Sequence, residues 1–464
     1  MSNMKHSNKN TKRIVNIFSL ALILIVVFST ASCTFSKKNN EDNVLKKLIG
    51  TQFELHEKRL NEVETPYTLC YQNTDGSVST YIFYSPIAYR DENGALNLID
   101  TSLGSVKDKN YKKSGYVLQT QGCNINSFFP KKLKKLPIVI SDQNTTLSFN
   151  VKESYQGKKY KKTIYSDLLG IEHSSVTYYK DSDICIEYVP TSSGVTANIT
   201  LYKNTADNEI TFYVDKQAGM TFSLTDTQNV IISNDSQKAV GIIRTSSNMD
   251  LERYSNFVNQ IKLQDDEDKI KYSILLNDTD VVYPLSLSVS FEIIPNVLPN
   301  ISVYENGKND SLSAYSVMGD SSLFMKLRVN YFIKTYRENI KSATYNFVNF
   351  EELSEESVLN FGMVEGFWNV PTISTDNPKV SRSVNNVGVS SSGTYSVDIS
   401  EYIKECVHDD TYNTENYGLN ISSENNEKCI ISNYNNSMYK PYVRIDFYDM
   451  PWTFEKVDEI YPST

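Results

Sequence analysis

Residues able to do chemistry are scarce in this chain. Beyond the first 33 residues the only histidines are His56, His173 and His408, too few to suggest imidazole-built metal or acid–base centres. Cys406-Val407-His408-Asp409-Asp410 is the most site-like grouping. On a helix, residues two apart face different sides, so this thiol and imidazole cannot form a nucleophile–base pair and the grouping reads as structural. No GxSxG, HExxH, P-loop or GxGxxG occurs. Asp265-Asp266-Glu267-Asp268 lacks the glycine and alternating ligands of a calcium loop and reads as a solvated acidic loop. No catalytic residue, metal ligand or cofactor is assigned. A carboxylate-dependent, polysaccharide-degrading enzyme stays as an alternative, because 55 acids offer many pairs and the roughly 5–9.5 Å separation that matters is set by the fold.

Two groups of side chains point to binding instead. Sugar recognition on a β surface packs an aromatic ring against the C–H face of a pyranose, and the candidate ligand-binding residues are Trp368, Trp452, Tyr434 and Tyr439. Trp368, followed by Asn and then Pro, reads first as a core packer, and Trp452 as a cap on the last strand. The second group is cationic. From Lys107 to Lys162 thirteen lysines stand against Asp108, Asp142 and Glu153, net +10. The candidates for an anionic polymer are Lys131, Lys132, Lys134, Lys135, Lys158, Lys159, Lys161 and Lys162. The plain reading is lysine on solvated edges and loops, where it discourages strand-to-strand aggregation. The functional one is a patch that meets anionic envelope polymer or phospholipid head groups.

These groups must be positioned by a chain rich in Tyr (32) and Phe (20) with 2 Trp, 40 % hydrophobic and 22 % charged. That composition suits half-buried pleated surfaces. Lys5, Lys9, Lys12 and Arg13 precede an apolar run, Ile14 to Ser29, which reads as a signal peptide. At 1.5 Å per residue the run spans about 24 Å, short of a bilayer. It ends Ser29-Thr30-Ala31-Ser32-Cys33, small residues leading to a Cys as in a bacterial lipobox, with Thr30 where an aliphatic is usual. The expectation is lipidation at Cys33 and an exported protein tethered to the outer face of the cell membrane; simple cleavage after Ala31 is the alternative. Without residues 1–32 the chain has 42 basic and 55 acidic side chains, net −13, which argues against nucleic acid as a partner. Five cysteines remain after Cys33, at 70, 123, 185, 406 and 429. None forms a CxxC, and Cys406 with Cys429 is the candidate disulfide.

Short alternating runs separated by turn signals predict an all-β region from Tyr67 to about Pro295. Examples are Val195–Tyr202, Glu209–Val214 and Leu285–Phe291, with Asp75-Gly76 and Asn93-Gly94 as hairpin turns. Val44 to Val63, apolar at 44, 45, 48, 49, 55 and 60, predicts a stalk or packed helix. Pro295 and Pro299 mark a junction near residue 300, after which strands resume. Asp398-Ile399-Ser400-Glu401 predicts a capped helix start. The division is 1–32 signal peptide, 33–66 tether and possible helix, 67–299 N-terminal β domain, 300–450 second β domain and 451–464 tail.

Residues 315–448 resemble the DNRLRE domain, a carbohydrate-binding-module-like β-sandwich of bacterial and archaeal surface proteins. Ile340-Lys-Ser-Ala-Thr-Tyr345, Gly366-Phe-Trp-Asn-Val-Pro371, Tyr395-Ser-Val-Asp-Ile-Ser400, Asn416-Tyr-Gly-Leu-Asn-Ile421 and Lys440-Pro-Tyr-Val-Arg-Ile-Asp446 resemble its motifs in order, while its name-giving acidic/basic motif is absent. Tyr84 to Leu103 and Asp183 to Tyr188 are similar to the β region that often precedes such domains in Gram-positive surface proteins. The resemblance implies surface display and binding without established catalysis. The expected fold is therefore mainly β: two β-sandwich or jelly-roll-like domains with a few short helices, preceded by a lipoprotein signal peptide. The expected role is non-catalytic binding of envelope or extracellular polysaccharide or anionic polymer, in adhesion or scaffolding. A protein-binding envelope or spore assembly component is a further alternative.

Overall fold

The computed structural model describes most of residues 45–449; the longest stretches outside the description are 248–257, 295–300, 307–313, 366–378, 409–417 and 434–440. The described chain is mainly β, in antiparallel sheets with short helices.

Two eight-stranded sheets form a central sandwich from residues 100–293. Alternation explains it. In Gly194–Leu201, Val195, Ala197, Ile199 and Leu201 are fully buried. The neighbouring strand Leu285–Ile293 turns Leu287, Val289 and Phe291 the same way, in the register Val195↔Phe291, Ala197↔Val289, Ile199↔Leu287. Leu147, Phe149 and Val151 of Thr146–Val151 and Ile210, Phe212 and Val214 of Glu209–Asp215, from the opposite sheet, share the same core. Phe149 stacks on Phe291 with ring centroids 3.8 Å apart, and Phe212 meets Phe291 edge-on at 5.3 Å.

A second sandwich pairs a six-stranded and a five-stranded sheet. The five-stranded sheet runs Ile301–Asn306, Ser322–Leu327, Leu419–Ser423, Ser357–Glu365, Lys379–Val389. The six-stranded sheet runs Lys58–Arg59, Thr68–Gln72, Val78–Phe83, Tyr442–Phe447, Ile340–Asn349, Gly393–Asp398. Its first three strands come from the start of the described chain, and Val78–Phe83 pairs directly with Tyr442–Phe447. Leu60, Val63, Cys70, Val78 and Ile82 accordingly share one core with Leu323, Phe361, Ile421 and Phe447. The expected division puts Lys58–Arg59 in the 33–66 tether and Thr68–Gln72 and Val78–Phe83 in the 67–299 domain, whereas their hydrogen bonds and core contacts are with the second sandwich.

The helix Ser400–His408 buries Tyr402, Ile403, Cys406 and Val407 in that core, and Asp398 Oδ1 accepts the Ser400 N–H at 2.8 Å, the expected capping acceptor. Gly76 sits at φ +84 in the predicted turn, where its N–H reaches the Asn73 carbonyl at 3.0 Å. Among the described residues of the helix expected over 44–63, α-helix is found only near the start, with Leu45 and Ile49 buried, while Lys58–Arg59 pairs as a strand with Tyr71 and Gln72 and Asn61–Val63 forms a single 3-10 turn. The apolar spacing at 44, 45, 48 and 49 suits a helix, but beyond it the backbone finds a sheet edge to bond.

Candidate functional site

Leu133 and Leu136 organise the densest lysine run. Leu133 is buried in the central core and its carbonyl accepts from Asn150 Nδ2 at 2.7 Å; Leu136 packs with Val106, Tyr116, Phe128 and Val139 on the outer face of the same sheet. Pinned by these leucines, the turn exposes Lys131, Lys132, Lys134 and Lys135. The helix Lys109–Ser114 lies beside it. Asp108 caps it, accepting from Asn110 N–H (2.7 Å) and Tyr111 N–H (3.1 Å), and Tyr111 stacks on Phe128 at 3.8 Å, which leaves Lys109, Lys112 and Lys113 exposed. The helix ends at Gly115, φ +106, whose carbonyl accepts the Lys131 N–H at 3.2 Å. Helix end and turn are thus joined, bringing seven exposed lysines onto one end of the unit, with Lys134 ion-paired to Glu153.

The remaining lysines separate from this group. Lys161 and Lys162 lie on Lys159–Ser166, the edge strand of the other eight-stranded sheet. Lys161 is exposed there, where a lysine protects a sheet edge, whereas Lys162 Nζ donates to the Leu103 carbonyl. Lys159 is described only in its backbone, and Lys158 lies outside the described residues, as do Cys33, Trp368, Tyr434, Tyr439 and Trp452. The helix lysines belong to the net +10 stretch of the sequence but are not among its site candidates. The alternation Lys-Lys-Leu-Lys-Lys-Leu over 131–136 is the signal for the turn; the three-dimensional joining to the helix has none.

A polar cleft of about 290 Å³ opens at the seam of the six-stranded sheet. Alternation on Tyr442–Phe447 sends Val443 and Ile445 to the core and Arg444 and Asp446 to the outer face. The register Ser79↔Asp446 and Tyr81↔Arg444 then makes two contacts. Ser79 Oγ donates to Asp446 Oδ1 at 2.6 Å, and the Arg444 guanidinium lies 5.7 Å from the Tyr81 ring centre. Arg444 also donates to Asp446 Oδ1 through Nε (2.9 Å) and to Glu54 Oε2 through Nη1 (2.7 Å).

His56 closes the network over Tyr71, their ring centroids 4.7 Å apart. Its Nδ1–H donates to Asn73 Oδ1, and its Nε2 accepts from the Tyr81 hydroxyl at 3.0 Å. Asn73 Nδ2 donates in turn to Ser77 Oγ (2.9 Å) and Ser79 Oγ (3.0 Å). Burial holds the imidazole below its ordinary value; the Arg444 charge adds to this, and the Asn73 bond and the Glu54 and Asp446 charges oppose it. His56 is therefore the neutral Nδ1–H tautomer. The carboxyl of exposed Asp75 is held below its usual range chiefly by the Ser77 hydroxyl and N–H, at 2.5 and 3.0 Å. None of these groups is among the site candidates of the sequence: Arg444 and Asp446 announce a shared face by their spacing of two, but nothing local names the strand beside them.

The disulfide expected between Cys406 and Cys429 is not formed: all five described cysteines are thiols. Cys406 and Cys429 both fill the core of the second sandwich, where the Cys406 thiol is hydrogen-bonded with Tyr402; burial pushes it up to about 12, so it stays protonated and inert. Cys406 is buried and His408 exposed, as expected of two helix positions facing different sides. In the acidic stretch at 265–268, Asp265 accepts both bonds from Lys216 Nζ, at 2.7 and 2.9 Å. Among the described residues no three His, Cys, Asp or Glu side chains are grouped to hold a metal ion.

No family model and no curated protein matches the chain. Among solved structures it is similar to the N-terminal domain of a Streptococcus gordonii adhesin, with 9 % identity, 65 % of this chain and 91 % of that one covered, and a TM-score of 0.16. It is also similar to an exo-β-1,3-galactanase from Phanerochaete chrysosporium, with 9 % identity, 83 % and 94 % covered, and a TM-score of 0.12. At such TM-scores neither likeness carries an argument about ligand or activity.

Proposed function

We propose that the chain is an exported lipoprotein, anchored through Cys33, that binds an anionic polymer of the cell envelope without altering it. The observation that carries this reading is the joined helix and turn: Lys109, Lys112, Lys113, Lys131, Lys132, Lys134 and Lys135 are all exposed on one end of a rigid sandwich, in a chain whose mature form is net −13. Overall negative charge repels polyanions, so a concentrated positive end gives both attraction and orientation. Lysine suits this task, being a hydrated point charge that pairs with phosphate or carboxylate in many geometries. The same reading makes the lysines of Lys159–Ser166 edge protection rather than ligand contacts.

Two assays test it. Cys33→Ala should move the protein from the membrane to the soluble fraction; persistence in the membrane removes the anchor from the account. The full chain should retain immobilised poly(glycerol phosphate), and incubation with neutral and acidic polysaccharides should release no reducing ends. Release of reducing ends would favour the carboxylate enzyme.

A further inference from the structure

The cleft at Arg444 is unrelated to the lysine end and differs from it in kind. Its lining carries Lys341 and Arg444 against Glu54, Asp75 and Asp446, and these charges already answer one another: Arg444 bonds both Glu54 and Asp446, and the Lys341 charge acts on Asp75. An anion would meet an excess of carboxylate, and a metal ion would meet two cations. Apolar molecules would leave the lining oxygens dry. The lining instead keeps unused capacity of both signs. Lys341 Nζ and the Thr74 hydroxyl can donate, and the second oxygens of Glu54, Asp75 and Asp446 can accept; none makes a hydrogen bond to another described residue. Donors and acceptors interleaved over one small, open hollow match a molecule whose every hydroxyl both donates and accepts.

We propose that this cleft binds a neutral polyol, a single residue of an uncharged saccharide, between the Thr74–Ser77 turn and the Glu54–His56 segment. The hydrogen-bonded His56–Asn73–Ser79–Asp446 chain fixes the floor and hence the positions of the acceptors. Tyr71, Tyr81 and Phe447 beneath it are buried, so the sugar gains hydrogen bonds but no exposed ring to stack on, and its affinity is weak, with Kd of about a millimolar. Glu54 and Asp446 share one guanidinium and Asp75 is held ionised by Ser77, so none of the three is placed to give a proton to a glycosidic oxygen, and binding rather than hydrolysis follows.

Isothermal titration or saturation-transfer NMR on the full chain in a sugar-free detergent tests this, with glucose, galactose, mannose and N-acetylglucosamine as probes. At least one should bind with about millimolar affinity, unchanged by salt. Lys341→Ala and Asp75→Asn, both at exposed positions, should each weaken it roughly fivefold, one hydrogen bond's worth. Lys131→Glu with Lys132→Glu should leave it unchanged, which separates this site from the lysine end. Absence of binding by all four sugars at tens of millimolar, or binding indifferent to both cleft variants, would overturn the proposal.

Discussion

The two sandwiches are closed in opposite ways. The central one is made from one contiguous length of chain, and its sheets meet through Phe149, Phe212 and Phe291 in an apolar core. The other is closed by strands from the two ends of the described chain, Val78–Phe83 against Tyr442–Phe447, and its seam carries charge and polarity. There Arg59 meets Glu64 at 2.6 Å with the Glu64 side chain fully buried, and His56 sits between Asn73 and Tyr81. Apolar closure gives stability that varies little with pH. A polar seam is sensitive to pH and to the integrity of the N-terminal segment, and its long-range pairing makes it the slower unit to assemble.

The largest effect should come from truncation. Removing the chain up to residue 83 takes away three of six strands, so calorimetry should show the second sandwich's transition lost and the central one kept; two intact transitions would mean the seam is dispensable. Phe291→Ala should do the reverse, costing about 4 kcal/mol in the central unit through the cavity it leaves. Arg59→Ala should destabilise the second sandwich by about 3 kcal/mol in denaturant titration, because Glu64, its carboxyl already pushed up by burial, loses the guanidinium that offsets it.

A smaller difference should appear with acid. The folded value of His56 lies below the unfolded one, so its contribution is whole above the unfolded value near 6.5 and is lost as pH falls below it, at no more than about 1.4 kcal/mol per pH unit. In the central unit, burial tends to raise Glu209 but is outweighed by hydrogen bonds from Ser273, Lys271 and Thr211, which hold it to about 2. Its contribution is whole above the unfolded value, about 4.3, and fades only toward pH 2. The second sandwich should therefore soften first as pH falls below about 6.5, and His56→Gln should remove that softening. Simultaneous softening of both units would contradict the assignment.

Much of the fold was legible because alternation in runs such as Val195 to Leu201 declares a strand and its buried face without outside help. Partners were not. Tyr442 to Phe447 reads as a strand, but one of its two neighbours, Val78–Phe83, lies some 360 residues away, and no local pattern carries that distance. The cleft depends wholly on that pairing and so was invisible, while the lysine turn, encoded within six residues, was not. Cys406 and Cys429 share a region, which suggests a pair, but both are core filler, since a buried thiol behaves as a small apolar side chain.

The claim that matters most for function is that the lysine end holds a polyanion. Its direct test is the affinity of the full chain for poly(glycerol phosphate) as a function of salt, for wild type and for the variant with Lys131, Lys132, Lys134 and Lys135 changed to Glu. Wild-type affinity should fall at least about tenfold between about 50 and 200 mM salt, and the variant should bind too weakly to measure. Equal affinity for both proteins, or wild-type binding that ignores salt, would contradict it.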